Sequence, residues 1–205
     1  MIYYLLFSFL IGSFPTAALI SKLKGIDIKK VGSGNSGASN VLRSVGWPQA
    51  VIVMLVDILK GFLAVYSARF FSHLAGSEIQ YFSIAEFSYI GGVVSVLGHI
   101  FSPFLKFHGG KGVATSMGAY LCISYLTGLS AFLVSLILVY IFKKASVGTL
   151  IAVLSLPLFF YLFDSNHIDF YFILKLIFLN IAIIFYSHRE NIKRIIDGTE
   201  LNLKK

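Results

Sequence analysis

The residues able to do chemistry gather in one run, Val31-Gly-Ser-Gly-Asn-Ser-Gly-Ala-Ser-Asn-Val-Leu-Arg43. Lys29 and Lys30 stand just before it. Three glycines let a backbone turn its N–H groups into a concave nest that suits a phosphate. Ser33, Asn35, Asn40 and Arg43 offer side-chain donors to the same anion. The competing reading is a flexible Gly/Ser linker. A second glycine cluster, Gly109-Gly-Lys-Gly112, precedes Val113-Ala-Thr-Ser116 and an apolar helix, whose N-terminal dipole end favours an anion. Thr115 and Ser116 lie in the first turn of that helix, where a hydroxyl either caps the helix or bonds a ligand. Ser146 follows Lys143-Lys-Ala, where an N-cap would stand, and His188 and Asn191 share one face of a basic C-terminal helix.

The elements that must position these groups are membrane helices. Hydrophobic residues make up 57% of the 205, charged residues 13%, and mean hydropathy is +0.84. Soluble domains carry about 25% charged residues, so the composition is one for lipid. A hydrocarbon core needs roughly 17–25 apolar residues per helix. Seven candidate spans follow, at about 2–20, 49–71, 81–101, 113–124, 127–142, 147–163 and 170–186. Pro15 should kink the first, and the fourth is the shortest. The first lacks a positive n-region and a cleavage site, and reads as an anchor with its N-terminus outside.

Net charge is +8. Lys22, Lys24, Lys29, Lys30, Arg43, Lys106, Lys111, Lys143, Lys144, Arg189, Lys193, Arg194, Lys204 and Lys205 all fall on one side of this arrangement, 14 of the 17 basic residues. By the positive-inside rule that side is cytoplasmic, so the C-terminus is inside. Outer loops carry Arg69 with Glu78, Asp164 and Asp169. The basic excess therefore serves topology and anionic headgroups; the basic loops hold few aromatics, which argues against nucleic acid. The lone Cys122 excludes a disulfide framework and a cysteine metal site. Asp57 and Lys60, three apart within a span, should pair and support an adjacent loop. Glu86 should snorkel or bond a neighbouring helix, and Lys175 should snorkel.

Several motifs fail. Gly32 to Gly37 matches G-x-G-x-x-G with Asp57 twenty residues on, yet no strand precedes it and Asp57 lies in a span. A Walker loop around Lys111 lacks its first glycine, at Leu105, and its Ser/Thr, at Gly112. No carboxylates sit at metal-binding spacing on the inner face. Many anion binders and almost no general base remain, which suits a reaction between two phosphorylated substrates driven by positioning and charge neutralisation.

The chain resembles the bacterial acyl-phosphate:glycerol-3-phosphate acyltransferases, the PlsY family, across nearly its whole length. Three ordered blocks carry the resemblance: Gly32 to Arg43, then Gly98-His-Ile-Phe-Ser-Pro-Phe104 with Gly109 to Thr115, and His188-Arg-Glu-Asn-Ile-Lys-Arg194 with Gly198 and Glu200. Asp57, Lys60-Gly61 and Lys144-Ala-Ser146 sit as that family places them. Ser36 stands where the family often has proline, and Ser39 where it often has threonine.

The resemblance implies an all-α integral membrane protein. It would be one domain over 1–205 with seven transmembrane helices, N-terminus outside and C-terminus cytoplasmic. Its motif loops would lie at about 22–48, 102–112 and 143–146, with a tail at 187–205. It implies acyl transfer from acyl phosphate to the sn-1 hydroxyl of glycerol 3-phosphate at the cytoplasmic face of the bacterial inner membrane. Lysophosphatidic acid is the product, and neither cofactor nor metal takes part. Backbone amides of Ser33 to Ser39 would hold the acyl phosphate. The residues assigned to catalysis are Ser33, Arg43, Lys111 and His188, with His188 a possible third cation. Those assigned to substrate binding are Gly32, Gly34, Asn35, Ser36, Gly37, Ala38, Ser39, Asn40, Gly110, Thr115, Ser146 and Asn191. The lipid bilayer and the enzyme supplying acyl phosphate are the expected partners. The alternative is a transporter of an organic phosphate, which would place polar groups at the midplane rather than at one face.

Overall fold

The computed structural model describes residues 1–75 and 83–203. Glu78, the start of the expected third span at Tyr81, and Lys204 and Lys205 lie outside these. All regular structure among the described residues is helical. The helices are α1 (Ile2–Ser13), α2 (Thr16–Lys22), α3 (Ala38–Ser44), α4 (Trp47–Tyr66), α5 (Ala68–Ala75), α6 (Ile84–Ile100), α7 (Val113–Ile123), α8 (Tyr125–Phe142), α9 (Ala145–Leu154), α10 (Leu156–Asp164), α11 (Phe170–Ser187) and α12 (Arg189–Ile196).

Among the described residues, six helical segments are long and apolar enough to cross a bilayer: Ile2–Lys22, Trp47–Leu74, Ile84–Leu105, Tyr125–Phe142, Ala145–Asp164 and Phe170–Ser187. The break at Phe14-Pro15 separates α1 from α2, where proline cannot supply a helical N–H. The expected fourth span corresponds to α7, which has 11 residues. At about 1.5 Å per residue it is too short to cross a hydrocarbon core of about 30 Å by itself. Among the described residues, the hydrogen bonds of the Glu86 side chain stay within its own helix. Glu86 forms a capping box with Ser83, each side chain meeting the other residue's backbone N–H.

α7 packs along α4 and against α8, and no comparable packing joins α4 to α8. α7 is therefore the floor of a groove that α4 and α8 wall. Small residues bring the floor close to the α4 wall. A Cβ on Gly61 would collide with the Thr115 carbonyl, and one on Gly118 with the Ile58 carbonyl. Such close backbone approach is how helices associate where lipid gives no hydrophobic drive. Behind the groove, Ile173, Ile177, Ile181 and Ile184 of α11 form a stripe of helical spacing. It packs with Val96, Tyr120, Val153 and Phe160. Many large apolar side chains, such as Leu55, Leu59, Leu133 and Ile137, face outward, as lipid contact requires.

Candidate functional site

The glycine-rich loop is built around Asn40, which is almost fully buried. Its Nδ2 donates to the carbonyls of Ile28 (3.2 Å), Val31 (3.1 Å) and Asn35 (3.1 Å). Its Oδ1 accepts from the Ser33 N–H at 2.9 Å. Asn40, expected as an anion donor, instead fixes the loop: its amide hydrogens already meet three backbone carbonyls. Gly32 (φ 59°) and Gly34 (φ 67°) take left-handed conformations that only glycine adopts without strain. A side chain on Gly32 would also overlap the Asn40 amide.

The amides expected to hold a phosphate divide into two sets. Those of Ser33, Gly34 and Asn35 are engaged, by Asn40, the Val31 carbonyl (3.0 Å) and Ser33 Oγ (3.4 Å). Those of Ser36, Gly37, Ala38 and Ser39 have no partner among the described residues. The amides free to meet an anion are thus those of its second half, where α3 begins. The Ser36 hydroxyl is buried and unpartnered.

The second glycine loop lies against the first. Gly110 fits between the His99 ring and the Ser36 carbonyl, and a Cβ there would strike both. Beneath both loops, Asp57 accepts from Lys60 (2.5 Å) and Thr16 (3.1 Å), and the His99 ring nitrogen stands 3.9 Å away. Lys60 also donates to the Phe14 carbonyl at 2.5 Å. The expected Asp57–Lys60 pair therefore exists, and it ties the proline break to α4 under the loops.

Ser146 and Asn191 meet at Glu200, and Lys111 joins them through Asn191. The Glu200 carboxylate accepts from Ser146 Oγ (2.8 Å), Asn191 Nδ2 (2.7 Å) and Arg194 Nε (3.0 Å). Lys111 Nζ donates to Asn191 Oδ1. Ser146 is thus no N-cap; Lys144 stands at that position without a side-chain cap. Thr115 does not cap α7 either: its hydroxyl is buried and unpartnered, and Ser116 accepts from Asn180 at 2.7 Å. Arg43 meets the tail, donating to the carbonyls of Asn202 (3.0 Å) and Leu201 (3.3 Å).

Burial pushes the Lys111 ammonium down to about 8, opposed by the Glu200 charge and reinforced by Arg194 and Arg43. Burial, with the Lys111 charge beside it, pushes His188 down to about 4. His188 is therefore neutral at pH 7. Its Nδ1 lies 2.8 Å from the Ile184 carbonyl, which can only accept. Nδ1 therefore carries the proton, and Nε2 is left as the ring's acceptor. Burial would raise the Glu200 carboxyl, but hydrogen bonds from Ser146, Asn191 and Arg194 and the Arg194 charge hold it below its ordinary value.

Arg43, Lys111, Ser146, His188, Asn191 and Glu200 line one cavity of about 400 Å³ together with part of the glycine-rich loop. Its polar end holds Ser33, Ser39, Arg43, Lys111, Ser146, His188 and Asn191; its other end is apolar, formed by Val51, Met54, Ile58, Met117, Phe132 and Leu136. Of the residues singled out from the sequence, Gly32, Gly34, Ser36, Gly110 and Thr115 do not line it; they shape or back the loops that do. Glu200, quoted in the sequence only as part of a motif, is the acceptor around which the polar end is assembled. The signal for it was its place two residues past Gly198. Among the described residues, no three His, Cys, Asp or Glu side chains gather as a metal site.

Residues 2–198 match the glycerol-3-phosphate acyltransferase family. Glycerol-3-phosphate acyltransferase 1 of Deinococcus radiodurans is 40% identical over 199 residues, covering 97% of this chain and 93% of that protein. The glycerol-3-phosphate acyltransferase of Endomicrobium trichonymphae is 39% identical, covering 99% and 96%. The crystal structure of PlsY (YgiH), an integral membrane glycerol 3-phosphate acyltransferase, in its glycerol 3-phosphate form superposes with a TM-score of 0.85. That structure is 34% identical, with 99% of this chain and 95% of that one covered. Its lysophosphatidic acid form superposes at 0.80, with 35% identity.

Proposed function

The chain belongs to the glycerol-3-phosphate acyltransferase family, and from that premise we propose how its cavity carries out acyl transfer. The donor is an acyl phosphate. The sn-1 hydroxyl oxygen of glycerol 3-phosphate attacks the acyl carbonyl carbon, the bond from that carbon to the phosphate oxygen breaks, and the hydroxyl proton goes to the departing phosphate. Lysophosphatidic acid and inorganic phosphate leave. The observation that carries this reading is the continuity of one cavity: cations and unpaired loop amides at one end, an apolar groove between α4 and α8 at the other. An acyl chain gains roughly 0.8 kcal/mol per buried methylene, so it lies in the groove while its phosphate emerges at the loop.

The amides of Ser36 to Ser39 receive the donor phosphate, with the Ser33 and Ser39 side chains beside them. Lys111 and Arg43 receive the phosphate of glycerol 3-phosphate, Arg43 exchanging neutral tail carbonyls for a dianion, a stronger partner for a guanidinium. His188 Nε2 accepts from a glycerol hydroxyl and orients it, while Ser146 and Asn191 complete the polar wall. With His188 held at about 4, its ring is a weak base near neutrality, which suits proton transfer to the substrate phosphate.

We further read the topology as seven crossings with the N-terminus outside, the whole of 1–205 as one domain, and the site at the cytoplasmic face of the inner membrane. Support for α7 as the seventh crossing comes from its two ends. Its start is level with the end of α11, where Ser187 Oγ donates to the Lys111 carbonyl at 3.0 Å. Its far end reaches Asp164 at the end of α10, which Ser124 and Thr127 (3.1 Å) both bond. A crossing begun deep in the protein needs fewer residues. The enzyme supplying acyl phosphate is the natural partner at that face.

Purified protein given palmitoyl phosphate and labelled glycerol 3-phosphate should form labelled lysophosphatidic acid, and palmitoyl-CoA in a parallel tube should give none. Product from the thioester alone would reassign the donor.

A further inference from the structure

We infer that Leu201-Asn202-Leu203 is a strap that covers the mouth of the groove and holds Arg43 until glycerol 3-phosphate takes its place; this rests on the acyl-transfer reading above. Gly198 (φ 70°) turns the chain back after α12. The bonds of Glu200 to Ser146, Asn191 and Arg194 then fix where the strap begins. From there it reaches both walls. On the α4 side, Arg43 of α3 donates from Nε to the Asn202 carbonyl (3.0 Å) and from Nη2 to the Leu201 carbonyl (3.3 Å). On the α8 side, the Leu203 N–H donates to the Lys143 carbonyl at 2.8 Å. Lys143 ends α8 in a left-handed conformation (φ 55°), with its ammonium over the Tyr140 ring. Its backbone, rather than its charge, meets the strap.

Leu201 and Leu203 line the same cavity as Arg43, Lys111 and His188. Their backbone contacts place both leucines at its polar end, where the other lining groups suit phosphate. The strap holds the guanidinium through neutral carbonyls alone, and a phosphate dianion is the stronger partner. Such a contact exchanges readily. Before the acceptor binds, the strap occupies the guanidinium fork, and the leucines keep water from the acyl carbon of the donor. When glycerol 3-phosphate arrives, its phosphate takes the fork and its glycerol replaces the cover. The strap thereby selects the acceptor hydroxyl over water as the nucleophile. It also weakens the apparent affinity for glycerol 3-phosphate, because only the fraction of molecules with Arg43 released can bind it.

Leu203→Pro tests this, because it removes the N–H that reaches Lys143 and sets the proline ring against that carbonyl. Leu203→Ala keeps the bond and serves as the comparison. With palmitoyl phosphate saturating, Leu203→Pro should lower KM for glycerol 3-phosphate about threefold, the scale of one net hydrogen bond, with kcat within about twofold of wild type. Leu203→Ala should leave that KM unchanged. Without acceptor, Leu203→Pro should release palmitate from palmitoyl phosphate about threefold faster than wild type, water having lost its barrier. In that side reaction the water oxygen attacks the acyl carbon, the bond to the phosphate oxygen breaks, and the phosphate takes the proton. A KM in Leu203→Pro that is unchanged or raised, or palmitate release no faster than wild type, would overturn the strap. An equal fall of KM in Leu203→Ala would do the same, by assigning the effect to the side chain. A wild type that forms no lysophosphatidic acid from palmitoyl phosphate would instead overturn the acyl-transfer reading, and this inference with it.

Discussion

The Asn191 side chain donates to Glu200 Oε1 at 2.7 Å and accepts from Lys111, so one amide joins the lysine to the tail carboxylate. The amide's orientation is fixed by Glu200, which can only accept while ionised. Glu200→Gln introduces a donor and removes the charge, and should raise KM for glycerol 3-phosphate about fivefold with kcat within twofold. Glu200→Ala leaves Ser146, Asn191 and Arg194 without their acceptor, a loss of about 1–3 kcal/mol. It should lower the midpoint of thermal unfolding in detergent. The pKa of Glu200 is depressed in the folded state, so its stabilisation is present above its ordinary 4.5 and is lost as pH falls through the depressed value. An unchanged KM in Glu200→Gln would remove the carboxylate from the positioning of Lys111.

Lys111 sets the alkaline side of the pH profile. With its ammonium held near 8, the free enzyme loses a cation as pH rises through that value. kcat/KM for glycerol 3-phosphate should therefore fall tenfold per unit above it. In the substrate complex the bound phosphate restores the charge, so kcat should stay flat to higher pH. His188, at about 4, should give no inflection between pH 6 and 8 in that pH range. Parallel alkaline limbs in kcat and kcat/KM would place Lys111 away from the phosphate.

The glycine loop should be less tolerant than its charge suggests. Gly34→Val forces a β-branched residue to φ 67° and meets the Lys29 carbonyl at 3.1 Å. Gly32→Ala would push on the Asn40 amide that fixes the Ser33 N–H. Each should reduce turnover at least a hundredfold with expression retained, as should Asn40→Ala. Lys24→Ala, on an exposed turn before the loop, should stay within twofold of wild type. Turnover near wild type in Gly34→Val would mean that this backbone conformation is not needed.

These roles show what a sequence displays and what it hides. Apolar runs and basic loops give the spans because lipid imposes length and charge asymmetry locally. The tight turns of 31–43 are equally local, in its glycines. Asn40 looked like another donor because nothing in the run reveals that its amide closes onto Ile28, Val31 and Asn35. The contacts of Arg43 with Leu201 and Asn202 join residues about 160 apart. Glu200 gained its central place through the same fold-back, which no periodicity records. α7 was assigned a full span because alternation demanded a crossing, and only the fold shows that its helix has 11 residues.

The buried pair beneath the loops gives the last prediction. Asp57 and Lys60 are both almost fully buried, and each has a further partner: Thr16 for the carboxylate and the Phe14 carbonyl for the ammonium. Removing one member leaves an uncompensated charge away from water, at a cost of about 3–5 kcal/mol. Replacing both by apolar residues of similar volume is often nearly neutral. Lys60→Met and Asp57→Leu should therefore each lower the thermal midpoint sharply, and the double variant should recover most of the loss. Activity should not recover with stability. His99 stands 3.9 Å from the carboxylate and packs its ring against Gly110 of the second loop, so the double variant loses the anchor that orients that ring. Turnover in the double variant should stay at least tenfold below wild type when measured per folded molecule. Full activity there would show that the pair only fills space under the loops. A double variant no more stable than the worse single one would show that the hydrogen bonds to Thr16 and Phe14, rather than the ion pair, hold the proline break to α4.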